Sequence, residues 1–267
     1  MFTTTHSIKK LREHSQSYYG FLIIPSSRLC TRSPNKEHIF FVMEYMSGGD
    51  LKKQLDEVEF FSEKRAKFYT AEITLAIQFL HQHEILQQDL KLENVLVGSD
   101  GHCKIADFGL SNLGLFRHCR NTTQCGTPFC MAPEIVKNLP YGQGVDWWAV
   151  GVMIFQMMTG HPPSYYDEHE DWDVDNAQYN LEQKILNDEV DFTTYVAGCH
   201  IDCDTALDQE SSTATRVNGS VDTVRQHPFF KGIDWQALQE KLLKTPEKEK
   251  VEKKKNPKNI TRVSARC

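Results

Sequence analysis

Asp89-Leu90-Lys91-Leu92-Glu93-Asn94, followed thirteen residues after Asn94 by Asp107-Phe108-Gly109, is the stretch on which the reading of this chain turns. Between the two acidic segments lie Val95-Leu96-Val97 and Cys103-Lys104-Ile105, short apolar runs that flank the turn-forming Gly98-Ser99-Asp100-Gly101. The pattern predicts a hairpin with Asp89 just before it and Asp107 just after it. Two loops then bring both carboxylates to one mouth. Further on come Gly126-Thr127-Pro128, Ala132-Pro133-Glu134 and Asp146-Trp147-Trp148. Each string is weak alone, and its weight comes from the shared order and spacing.

The flanking sequence predicts a mixed, mainly helical domain. Ile39-Phe40-Phe41-Val42-Met43 reads as a buried strand, and Met46-Ser47-Gly48-Gly49-Asp50 as a turn leading into a helix. Ser62 opens a longer helix, in which Ala66, Tyr69, Ile73, Ala76, Ile77 and Leu80 recur at steps of three and four. Residues 145–159 are apolar nearly all round, the mark of a helix at the centre of a domain. There is no internal repeat.

The 267 residues suffice for one large or two small domains, and a net charge of -6 gives no global drive toward nucleic acid or anionic lipid. No stretch approaches the roughly 18–20 apolar residues of a membrane span. Residues 1–15 lack an apolar core with a small-residue cleavage site, so a secretory signal is not expected. Eight cysteines without framework spacing fit free thiols in a reducing compartment, and the chain reads as cytoplasmic. Cys199-His200-Ile201-Asp202-Cys203 lacks the second ligand pair a structural metal site needs. The lysine-rich run 248–255 reads as part of a solvated, disordered basic tail.

Taken together, the strings from Gln87 to Trp148 resemble the protein-kinase signature set. Residues 40–51, 104–109 and 145–148 are similar to segments of protein kinase C, and residues 227–235 to the end of that family's kinase domain. The resemblance covers about residues 37–192 and 217–247. It implies a serine/threonine protein kinase of the AGC group and an α+β, kinase-like fold. That fold would be mainly the helical C-terminal lobe, with only a remnant of the N-terminal sheet. ATP and Mg²⁺ are the implied ligands, and a protein substrate or docking partner the implied partner.

Phosphoryl transfer needs positioning and charge neutralisation more than covalent help. By the resemblance, Asp89 accepts the proton of the substrate hydroxyl and Lys91 steadies the transferring phosphoryl. Asn94 and Asp107 hold the metal, since Mg²⁺ takes oxygen ligands and few from protein. Glu44 and Asp50 lie against the nucleotide, Glu93 receives an arginine of the substrate, and Thr123 is the activation-loop threonine that becomes phosphorylated. Asp146 pins the catalytic loop through backbone N–H groups.

The departures from that pattern shape the expectation. Only 43 residues precede Glu44, whereas an upper lobe needs roughly 60. Gly20 is the only glycine before Gly48, so no glycine-rich phosphate loop is expected there, and Lys9, Lys10 and Lys36 lie in no strand that would clamp a nucleotide. Gln87-Gln88 stand where the family has histidine and arginine, so Gln87 needs amide partners and Gln88 offers a phosphothreonine no charged fork. Gln156 replaces a glutamate that faces substrate arginine.

Residues 193–216 resemble nothing in the family. Codons can be assigned to residues 198–216 so that a one-base shift reads A-A-I-S-I-V-T-L-L-L-I-K-N-P-Q-Q-R-L-G, a helix followed by the arginine that would pair with Glu134. A pair of compensating frameshifts is the hypothesis, and genomic sequence without that hidden frame would refute it. A Glu134 left without its partner costs about 3–5 kcal/mol if the buried pair is simply broken.

The organisation expected is a degenerate remnant at 1–36, a kinase-like domain at 37–235 with 193–216 aberrant, and a basic tail at 236–267. The function expected is a serine/threonine kinase by descent, with weak or no activity in this chain. The alternatives are a pseudokinase binding module and a decayed gene product without selected function.

Overall fold

The computed structural model describes residues 44–113, 122–163, 177–187 and 224–246. The expected strand at 39–43, the segment 193–216, the Cys199–Cys203 cluster and the lysine-rich run lie outside these residues.

Helix α1 (Leu51–Asp56) starts where the Gly48-Gly49 turn ends, with Asp50 as its N-cap. Helix α2 (Glu63–Gln82) begins right after Ser62, as its periodicity predicts. Strand β1 (Ile85–Leu86) follows, and then a 3₁₀ turn over Leu92–Asn94 leads into strand β2 (Val95–Val97). Strand β3 (Cys103–Ile105) pairs antiparallel with β2 in the register Val95↔Ile105, Leu96↔Lys104 and Val97↔Cys103. Strand β4 (Asn112–Leu113) pairs antiparallel with β1. The hairpin expected from the sequence is present, and the β1–β4 pairing closes its two ends together. That closure brings the loop before β2 and the loop after β3 onto one edge.

Downstream are the short helix α3 (Pro133–Val136), the long helix α4 (Gly144–Thr159), α5 (Ala177–Asn187) and α6 (Trp235–Gln239). Helix α4 is buried along most of its length, from Val145 to Met158, and packs against α2. Leu75, Ile77 and Leu80 of α2 and Met153 and Met157 of α4 are each under 2% exposed and belong to one core. Burying an aliphatic side chain of this size is worth about 1.5–3 kcal/mol, so this helix pair is the main source of stability. The Phe61 N–H donates to Met157 O at 2.7 Å and ties the α1–α2 connection to the end of α4.

A buried hydrogen-bonded cluster joins α2 to the hairpin. Glu72, fully buried, hydrogen-bonds His102 Nδ1 and accepts the Cys103 N–H at 2.7 Å. The last described segment closes over the other side of α2. Phe229 and Phe230 are buried there, and Arg225 Nε donates to Gln78 Oε1 at 2.8 Å. Packing continues past the boundary expected at 235, because Leu238 of α6 is fully buried. The Lys241 ammonium lies 3.6 Å from the Asp100 carboxylate at the hairpin turn. The chain is an α+β, kinase-like fold whose described part is mainly helical.

Candidate active site

The site is built on Asp146, in the first turn of α4 and 1% exposed. Its Oδ2 accepts the Gln87 N–H at 3.0 Å and lies 2.8 Å from His81 Nε2 of α2, while its Oδ1 accepts the Gln88 N–H at 2.9 Å. A buried carboxylate is tolerable only when donors surround it. Here the donors include the backbone of the loop that carries Asp89. Two consecutive N–H groups held by one carboxylate fix the peptide plane, and Gln88 adopts φ +65° under that constraint. Left-handed backbone at a bulky residue is strained and persists only where its surroundings hold it.

Asp89 follows at once. Its Oδ1 accepts the Thr127 hydroxyl at 2.7 Å, and its Oδ2 lies 3.1 Å from the Lys91 ammonium and 3.2 Å from Asn94 Nδ2. Lys91 Nζ also donates to Thr127 Oγ1 at 2.8 Å, and Asn94 Nδ2 to the Asp89 carbonyl at 2.8 Å. Asp89, Lys91 and Asn94, expected from the sequence to act together, are therefore within hydrogen-bond reach of one another. Thr127 completes the set. Gly126-Thr127-Pro128 was visible as a string, but nothing in it assigns the hydroxyl a place between the acid and the lysine.

Asp107 is tied to the same centre through the backbone. The Ala106 N–H donates to the Asn94 carbonyl at 2.8 Å, so the residue before Asp107 lies beside Asn94. Asp107 itself is exposed, with φ +57°, and its Oδ1 accepts the Gly109 N–H at 3.0 Å. The Gln87 side chain bridges the two loops, since Nε2 donates to Asp107 O at 2.6 Å and lies 3.4 Å from Ala106 O. The amide thus finds partners for its donor end, as the sequence requires, whereas its buried Oε1 has none among the described residues.

The other residues singled out are more peripheral. Asp50 Oδ1 accepts the Lys53 N–H at 2.8 Å and Oδ2 lies 2.9 Å from the Lys53 ammonium. Partial burial works against its charge, but the Lys53 N–H and ammonium outweigh it and hold the carboxyl below its ordinary range. The exposed Glu44 carboxylate pairs with the Lys104 ammonium of β3. Near them, the buried Met46 and Ala106 and the partly buried Leu96 pack together as a small apolar cluster. Glu93 and Thr123 are exposed.

Cys130, buried under the loop that carries Thr127, has its thiol pushed far up by burial and by the charges of Glu93 and Asp89. It stays protonated and inert. Glu134 of α3 is also pushed up, by burial, against weaker opposition from its own backbone N–H and from Lys137. It makes no ion pair among the described residues, and the segment in which its arginine was sought lies outside them.

The atoms present suit a hard divalent cation. Asn94 turns its amide nitrogen toward Asp89, which leaves Oδ1 as the atom for a cation, and Asp107 offers an exposed carboxylate. Among the described residues no group of three or more His, Cys, Asp or Glu converges. Mg²⁺ takes few protein ligands and completes its shell with water and phosphate oxygens, so two oxygen donors are enough.

Comparison with known proteins agrees with this geometry. The family model "Protein kinase domain" matches residues 22–230. "Protein kinase C epsilon type" of Oryctolagus cuniculus is 41% identical over 230 residues, covering 84% of this chain and 30% of the relative. "Protein kinase C-like 1B" of Caenorhabditis elegans is 40% identical over 229 residues, covering 84% and 31%. "Protein kinase C eta type" of Homo sapiens is 38% identical over 237 residues, covering 86% and 33%. The chain thus spans about a third of the length of these relatives. With that match and this fold, the chain belongs to the protein kinase domain family and is of its protein kinase C type.

Proposed function

We propose that this chain binds Mg-ATP on the floor formed by Asn94 and Asp107 and transfers its terminal phosphoryl group slowly to serine or threonine hydroxyls of a protein. The observation that carries the reading is the closed triangle Asp89–Thr127–Lys91, with Asn94 bonded to Asp89, every link between 2.7 and 3.2 Å. Phosphoryl transfer is limited by positioning and charge, and this set supplies both without induced rearrangement.

In the proposed step, Asp89 orients the substrate hydroxyl and takes its proton as the hydroxyl oxygen bonds the terminal phosphorus and the bond from that phosphorus to the departing ADP breaks. Lys91 places a cation against the phosphoryl oxygens. Asn94 and Asp107 hold the metal, which neutralises charge on the nucleotide phosphates when bound. Asp50 and Glu44 flank the nucleotide side. Glu93, exposed beside the loop that carries Asp89, is the residue we assign to receive an arginine of the substrate.

The slowness is attributed to Gln87 and Gln88. The Oε1 of Gln87 is a buried acceptor without a partner among the described residues, next to the Asp107 backbone, and such a group costs about 1–3 kcal/mol. That cost falls on the peptide that must aim the metal ligand. The test is peptide phosphorylation with purified chain, wild type against Asp89→Asn. Removing the proton acceptor should cost about 10²–10⁴-fold in kcat and change the KM for ATP little. Equal turnover in the two proteins would refute the assignment of Asp89.

The second reading is a pseudokinase module that docks a partner without transfer, and the orphaned Gln87 oxygen favours it. It predicts a folded chain with no Asp89-dependent turnover at any ATP concentration. We place either activity in the cytoplasm.

A further inference from the structure

Tyr141 is 3% exposed, and its hydroxyl joins segments far apart in sequence. Gln88 Nε2 donates to it at 2.6 Å, and it donates in turn to the Thr123 backbone oxygen at 2.7 Å. Cys125 Sγ lies 3.7 Å from the same hydroxyl oxygen. A phenol has one proton to give and lone pairs to receive, so both oxygen–nitrogen and oxygen–oxygen bonds can be satisfied at once.

The next residues continue the attachment. Gly126 has φ +110°, and a Cβ added there would stand 2.7 Å from the Gln88 backbone oxygen, so the chain crosses directly over residue 88. Thr127 then bonds Asp89 and Lys91. Residues 123–127 are fastened in succession to residues 88, 89 and 91. The links from this segment to residue 88 are neutral, and Tyr141 holds the main-chain carbonyl of Thr123, an exposed residue.

We infer that Gln88 and Tyr141 are positioning residues, which through the Tyr141 hydroxyl fasten the 123–127 segment over the catalytic loop and hold Thr127 against Asp89 and Lys91 without any charge on Thr123. A phosphate on Thr123 would meet at residue 88 an amide, not a guanidinium, and gain no charge-assisted fork from it. The device makes the site's order depend on a tyrosine hydroxyl built into the fold. Its kinetic consequence rests on the phosphoryl-transfer reading, but the fastening itself does not.

The experiment is hydrogen–deuterium exchange on the full chain, comparing wild type, Tyr141→Phe and Thr123→Ala. Tyr141→Phe should speed exchange of the 123–127 amides about tenfold, the change expected for losing one net hydrogen bond, while α2 and α4 keep their rates. Thr123→Ala keeps the carbonyl that Tyr141 holds, so it should speed the 123–127 amides less than Tyr141→Phe does. Should Tyr141→Phe unfold the lobe, Gln88→Met removes the same link from the other side and is read in the same way. Unchanged exchange in the tyrosine variant, or equal acceleration in Thr123→Ala, overturns the inference.

Peptide phosphorylation on the same samples separates the two claims. Where wild type turns over, Tyr141→Phe should lower kcat with little change in the KM for ATP. No turnover in wild type, with the exchange pattern as expected, counts against the kinase reading and leaves the fastening supported. Turnover with exchange unchanged in Tyr141→Phe does the reverse.

Discussion

Asp146 and Glu134 are two helix-borne carboxylates of one lobe, placed in opposite circumstances. Asp146 is nearly inaccessible yet accepts from Gln87, Gln88 and His81, so its burial organises the loop that carries Asp89. Glu134 is partly buried, makes no ion pair among the described residues, and is held toward its protonated form by burial. The comparison teaches that a buried charge contributes to structure through the donors that accompany it. The floor under Asp89 has those donors. The α3 corner beside it bears the cost of burial with only its own backbone N–H and Lys137 in weak opposition.

The largest effect should come from breaking the satisfied carboxylate. Asp146→Ala leaves two backbone N–H groups and the His81 ring without their acceptor, and should lower unfolding stability by about 3–5 kcal/mol. Denaturant titration of the purified chain measures it. A loss below about 1 kcal/mol would mean that the loop is held by other contacts.

Glu134→Gln tests the other side, and its sign follows from the raised carboxyl. A folded chain that holds this proton more tightly than the unfolded chain loses stability as pH rises from the ordinary glutamate value, about 4.3, through the raised folded one. Above that value the full cost remains, so the glutamine variant should gain on wild type with rising pH and then keep a constant advantage. Denaturation midpoints across a pH series read the difference directly. A pH-independent difference would show that Glu134 is not perturbed by its burial.

Asp50→Ala should be the mildest change, about 1 kcal/mol for loss of an N-cap. Because the Asp50 carboxyl is held low, its contribution is present above the ordinary aspartate value, about 3.9, and disappears as pH falls through the folded value. The stability gap between wild type and variant should therefore narrow in acid.

Much of this was legible in the residues. The three-and-four spacing from Ala66 to Leu80 and the apolar run 145–159 mark the two core helices. Residues 98–101 mark the hairpin that separates Asp89 from Asp107. The order of the short strings fixes which loop meets which. Periodicity was blind to partners formed across the fold by single polar groups. Tyr141 lies in a polar stretch, 53 residues from the Gln88 it bonds, with no pattern around it. Thr127 is read as part of a turn until its hydroxyl is seen between Asp89 and Lys91. Glu72 and His102 were invisible for the same reason, being a helix residue and a turn residue whose pairing is decided only by packing. The β1–β4 pair was missed because two-residue strands carry no alternation to detect.

The central claim is that the catalytic floor is a folded site for nucleotide and metal. Thermal unfolding of the full chain with and without Mg-ATP, alongside Asp107→Ala, tests it most directly. The account predicts one cooperative transition that Mg-ATP raises in wild type and does not raise in Asp107→Ala, since only a ligand bound to the folded form stabilises it. A cooperative transition indifferent to Mg-ATP, or one raised equally in the variant, would contradict it.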